Sequence, residues 1–190
     1  MTAMRRLLSM LILLLAGLVG PAGAATHPGL EVLAAPRPVP AVAMVNAEGH
    51  PVDLGALRGR PVLVNLWASW CLPCLAELPA LDRLAASGRV AVLALSLDRG
   101  GVPAARAAYR RMDIRHLALT VDAGLKAGED WGAQVLPTTL LLDAQGREVA
   151  RYVGAARWDE AEPLLTALVS GRPVLPAMAP PAAHFTGTPP

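Results

Sequence analysis

The chain has 190 residues, 17 basic and 15 acidic side chains and a formal charge of +2, with the two signs interspersed, so no electrostatic footprint for nucleic acid is present. Hydrophobic residues make up 54% of it, but alanines and one N-terminal run account for much of that fraction, which is therefore no sign of a polytopic membrane protein. With two cysteines and four scattered histidines, neither a disulfide-stapled scaffold nor a four-ligand zinc site can be assembled.

Arg5 and Arg6 precede an apolar stretch, Leu7 to Val19, and Ala22-Gly23-Ala24 offers the small residues that a signal peptidase accepts. Residues 1–24 are read as a signal peptide. The alternative is an uncleaved anchor, but a spanning helix wants about 17–25 apolar residues, and Gly20-Pro21 ends this run early. Either reading places the remainder outside the cytoplasm, secreted to a periplasmic or extracytoplasmic compartment. Residues 25–39, rich in Pro and Ala without periodicity, are expected to be a linker. One domain is expected over 40–171, followed by a Pro/Ala-rich disordered tail over 172–190.

Within the domain, Val42–Val45 and Pro51–Leu54 flank a turn at Asn46-Ala47-Glu48-Gly49 and predict a hairpin. Pro61–Trp67 is apolar on both faces, as a central strand covered on each side should be. A helix is expected from Cys71 to Ala86, with Leu75, Leu78 and Leu81 on its inward stripe, and Val90–Leu97 is a second buried strand. Helix is expected at Pro103–Met112, strand at Leu117–Val121, a short helix at Leu125–Trp131, and strands at Thr139–Asp143 and Glu148–Val153 about an Ala144–Arg147 loop. The last helix is predicted over Asp159–Ser170, with Asp159 as its cap and Gly171 beyond its end. The alternation gives an α/β sandwich: a central mixed sheet with helices on both faces.

Both cysteines fall in Cys71-Leu72-Pro73-Cys74, between a buried strand and a helix. A bridge closing so short a loop constrains the unfolded chain little, so a structural staple is a poor explanation. Disulfide exchange needs a thiolate that a substrate can reach and a second thiol behind it. Cys71, in the first helical turn, meets unpaired N–H groups and the positive end of the helix dipole, which favour its thiolate. Cys71 is assigned attack, and Cys74, one turn deeper, resolution.

The run Trp67-Ala68-Ser69-Trp70-Cys71-Leu72-Pro73-Cys74, together with Leu136-Pro137-Thr138-Thr139, resembles the thioredoxin superfamily. Val64-Asn65-Leu66-Trp67, Glu77 with Pro79, and Asp143 with Gly146 are similar to its exported TlpA/ResA branch, which includes the CcmG-type proteins. The likeness spans about Pro40 to Ser170. It implies a thioredoxin-like sandwich with an N-terminal hairpin and an inserted helix-strand unit. It also implies that Pro137 is cis and faces the cysteines, and that the Leu136 backbone pairs with an extended substrate. Trp70, Leu72, Pro73, Leu136, Pro137 and Thr138 are then substrate-binding. Thioredoxin has an aspartate where this chain has Asn65, so Glu77, a turn beyond Cys74, is taken as the substitute proton carrier. Pro79 is expected to bend its helix, Trp67 to belong to the core, and Trp131 and Trp158 to serve packing.

The implied activity is reduction of specific protein disulfides outside the cytoplasm, with electrons from a membrane donor and without cofactor or metal. Apocytochrome c and copper-site assembly proteins are the implied customers, and the chain is expected to act as a monomer. Disulfide oxidation or isomerisation is the alternative of the same class; copper(I) delivery on the two thiolates is the alternative of a different one.

Overall fold

The computed structural model describes residues 29–183; the signal segment 1–24, the first residues of the expected linker and positions 184–190 lie outside them. In chain order the elements are β1 (Gly29–Pro38), β2 (Met44–Asn46), β3 (Pro51–Val52), β4 (Val62–Trp67), α1 (Leu72–Ser87), β5 (Ala91–Ser96) and α2 (Gly101–Arg111). They continue with β6 (Thr120–Asp122), α3 (Ala127–Asp130), β7 (Thr138–Leu142), β8 (Arg147–Val153) and α4 (Glu162–Val169). The strands form one sheet in the order β1-β8-β7-β4-β5-β6-β2-β3. It is mixed, because β4, β5 and β6 run parallel while β7, β8, β1 and the β2–β3 hairpin pair antiparallel to their neighbours.

Period-two alternation sorts the strand side chains between two cores. From β4, Leu63 and Trp67 face α1, α2 and α4, whereas Val62, Val64 and Leu66 face the opposite layer with Ala127 and Trp131. Every residue of β4 is buried, as a strand apolar on both faces requires, and Asn65 is its one polar side chain. The helices are distributed unevenly. Among the described residues three cover one face, and the other carries the short α3 and a 3₁₀ turn at Leu54–Leu57.

Two expectations fail at the ends of the domain. The expected linker contains β1, which extends the sheet by pairing with β8 from Gly29↔Val153 to Pro38↔Arg147. Prolines 36 and 38 are tolerated because β1 is the edge strand, with one side unpaired among the described residues, and its register breaks between Val32 and Arg37. The expected disordered tail is ordered as far as Ala183. Val174 is buried, Pro176–Met178 makes a 3₁₀ turn, and Ala156 and Ala182 form an antiparallel bridge. Proline lacks an N–H, but its carbonyl still accepts, and here Pro180 and Pro181 serve as acceptors.

Smaller differences have local causes. The final helix starts at Glu162 with Pro163 in its first turn, so Asp159 is not its cap and pairs with Arg83 instead. The inserted helix begins two residues before Pro103, which then occupies its first turn. Asp82 on α1 accepts the backbone N–H groups of Arg115, His116 and Leu117, which bind the connection after α2 to α1 and leave only Thr120–Asp122 as strand.

Candidate active site

β4 delivers the chain to the loop Ala68–Cys71, and α1 starts at Leu72 with Cys71 as its N-cap. The Cys71 sulfur accepts the Cys74 backbone N–H at 3.3 Å, and Pro73 occupies the first turn, where a missing N–H costs nothing. Cys71 and Cys74 are joined in a disulfide with Cα atoms 5.2 Å apart. Cys71 is 6% exposed and Cys74 not at all, so solvent reaches the first cysteine and not the second. Leu72 and Pro73 between them are exposed.

The opposite wall comes from β7. Its antiparallel register sets Thr138 against Leu66, which puts Pro137 at the sheet end from which the cysteine loop leaves. The Leu136–Pro137 bond is cis, as the resemblance implies. The Pro137 carbonyl accepts from Gly154, and among the described residues nothing bonds the Leu136 backbone. Trp70 is 69% exposed, Leu72 41% and Val135 42%, leaving an apolar rim on the two loops. The Thr138 side chain is buried, and its hydroxyl donates to the Val135 carbonyl inside the loop.

Beneath the disulfide lies Glu77, 1% exposed and three residues beyond Cys74 on α1, a spacing that sets side chains on one helix face. One carboxylate oxygen accepts from the Asn65 amide, which also donates to the Thr139 hydroxyl at 2.9 Å. The other accepts from the Trp158 indole at 3.0 Å and the Ala156 backbone at 3.2 Å. Burial pushes the Glu77 carboxyl up to about 7, and these donors, favouring the charged form, pull the other way without prevailing. A carboxyl poised there can take and return a proton near neutrality.

Two participants escape a linear reading. Trp158, expected only to pack, donates to Glu77 and stands edge-on to Tyr152 at 5.9 Å. Asp98, at the end of the second buried strand, accepts from the Ser69 backbone at 2.8 Å and its hydroxyl at 2.7 Å, and so holds the loop two residues before Cys71. A carboxylate at the carboxyl end of a parallel strand is a signal that could have found it, since sites in such sheets gather there. Trp158 had no comparable signal. Trp67 is core, stacked on Tyr109 at 5.5 Å, and Trp131 packs in the opposite layer.

Comparison with known proteins agrees with this architecture. The Redoxin family matches residues 34–168. The thiol-disulfide oxidoreductase ResA of Bacillus cereus is 28% identical over 164 residues, which cover 83% of this chain and 93% of that protein. The thiol:disulfide interchange protein HelX of Rhodobacter capsulatus is 31% identical over 138 residues, or 71% of this chain and 77% of that protein. Among solved structures, the exposed lipoprotein thioredoxin of Streptococcus pneumoniae has a TM-score of 0.58 and 28% identity over 66% of this chain and 98% of that one.

Proposed function

The chain belongs to the Redoxin family and is a thiol-disulfide oxidoreductase, and on that premise we propose that it works outside the cytoplasm as a reductant of selected protein disulfides. The observation that carries this reading is the asymmetric pair, one cysteine just reached by solvent and one sealed from it, beside a buried carboxyl poised near neutrality. The Cys71 thiolate, favoured by the start of α1, attacks the substrate disulfide and expels one substrate thiolate. Cys74 gives its proton to Glu77 and attacks the Cys71 sulfur, forming the Cys71–Cys74 bond and expelling the second substrate thiolate. Two electrons pass to the substrate, and a membrane donor restores the dithiol. An extended substrate segment would lie along Leu136 and cis-Pro137, with Trp70, Leu72, Pro73 and the backbone of Thr138 beside it. Apocytochrome c before haem attachment and proteins of copper-site assembly are the customers that the resemblance suggests.

The test is trapping. Cys74→Ala is expected to accumulate mixed disulfides through Cys71, and their partners identify the customers. Trapping by Cys71→Ala instead would reverse the roles. A reduction potential near that of thioredoxin, about −270 mV, supports reduction, whereas one close to the roughly −120 mV of a strong oxidant would overturn the direction.

A further inference from the structure

The segment beyond α4 makes a contact that bears on Glu77. After the turn at Pro176–Met178, Pro180 to Ala183 runs antiparallel to residues 155–157. The Tyr152 hydroxyl donates to the Pro180 carbonyl at 3.2 Å, the Arg157 N–H to the Pro181 carbonyl at 2.8 Å, and the Ala183 N–H to the Ala155 carbonyl at 2.8 Å. Residues 155–157 are not otherwise part of the sheet, yet Ala156 and the adjoining Trp158 supply two of the three hydrogen bonds that Glu77 receives. The segment also lies past residue 168, where the family match ends.

We propose that Pro180–Ala183 is a positioning strap for the proton site: it holds the 155–158 loop against Glu77 and keeps water from the carboxyl. The proposal rests on the reading of Glu77 as the proton carrier. A loop between a strand end and a helix start opens easily; two backbone hydrogen bonds on its outer edge, with a third fixing the strap to Tyr152 on β8, raise the cost of opening. The titratable groups facing Glu77 are the Tyr152 phenol on β8, which senses the carboxylate, and the cysteine pair a turn away on α1. Asp159, next to Trp158, is turned outward to Arg83. The sign of the effect follows from the causes. Burial is the largest influence on Glu77 and raises it, and incoming water would both relieve that burial and replace lost donors. Loosening the strap therefore lowers the carboxyl toward its ordinary range.

The experiment compares the full chain with a chain ending at Ala179, with Ala183→Pro, which lacks the N–H bonded to Ala155, and with Pro181→Ala, which keeps the accepting carbonyl. The truncation spares Val174 and Met178, which pack on the core, and Ala183→Pro provides a second reading should the shorter chain fold poorly. Carbon-13 NMR of the Glu77 carboxyl in the oxidised protein gives its titration directly, and stopped-flow resolution of the mixed disulfide gives the pH profile of exchange. The expected result is a carboxyl midpoint lowered by about one pH unit in the truncated and Ala183→Pro chains, unmoved in Pro181→Ala, with the exchange profile shifting in step. Midpoints that coincide in all four chains would overturn the strap. A lowered midpoint with an unmoved exchange profile would instead overturn the proton-carrier reading, and with it the strap's part in the reaction.

Discussion

Asn65 and Glu77 meet through a buried hydrogen bond from amide to carboxylate, on neighbouring elements and twelve positions apart in the chain. The amide nitrogen is used twice, on Glu77 and on Thr139, while its oxygen is buried without a partner among the described residues. Asn65 is thus more than the loss of a titrating group. It supplies a fixed donor to the carboxyl that does titrate.

Glu77→Gln tests that carboxyl through stability. The unfolded chain ionises Glu77 near 4.5 and the folded chain near 7, so between these values the unfolded state has given up a proton that the native state retains. Stability from this group is complete below about pH 4.5 and is lost as pH rises to about 7, a change on the order of 3 kcal/mol relative to Glu77→Gln. Urea unfolding of both proteins across the window is expected to show the difference widening toward neutrality. Parallel curves would show that Glu77 does not titrate there. A rotated Asn65 amide can accept from the introduced glutamine, but its NH2 then takes the buried place where the oxygen had no partner, so the variant carries a pH-independent penalty and the readout is the change of the difference with pH.

Asp98→Ala is expected to cost about 2–4 kcal/mol and to slow exchange, because it strands the Ser69 N–H and two serine hydroxyls at the base of the cysteine loop. Chemical denaturation measures the first effect and single-turnover reduction the second. Full activity in the folded variant would show that the loop holds its shape without the carboxylate.

Two tryptophans three positions apart should behave oppositely. Trp67→Ala removes a wholly buried ring stacked on Tyr109 and is expected to cost about 3–5 kcal/mol. Trp70→Ala removes a ring that is 69% exposed, so stability should stay within about 0.5 kcal/mol while KM for a protein disulfide rises. An unchanged KM would remove Trp70 from the docking rim.

Away from the dithiol, Arg151 and Glu148 form a buried ion pair, and Arg151 also donates to the carbonyls of Trp131 and Gly132. Arg151→Met alone is expected to cost about 3–5 kcal/mol by leaving Glu148 with only the half-exposed Arg37, and the double variant with Glu148→Leu to cost less than the sum. A double-mutant cycle by denaturant unfolding measures the coupling; strictly additive losses would show that the two charges do not depend on each other.

What could be read from the residues in order was whatever rests on local spacing. The run at 62–67, apolar on both faces but for Asn65, marked the central strand, the two-residue gap marked the exchange pair, and the three-residue step from Cys74 to Glu77 set both on one helix face. Each is a matter of period, and a period is written in the sequence. Tertiary structure alone decided what lies across from them. Trp158 and Ala156 reach Glu77 from about eighty positions away, Asp98 reaches Ser69 from twenty-nine, and β1 finds β8 across more than a hundred. The prolines that made 25–39 and 172–190 look unstructured rule out helices and inner strands, but they do not forbid an edge strand or an accepting carbonyl. Whether such a segment is ordered depends on which surface lies beside it, and that is settled only when the sheet has formed.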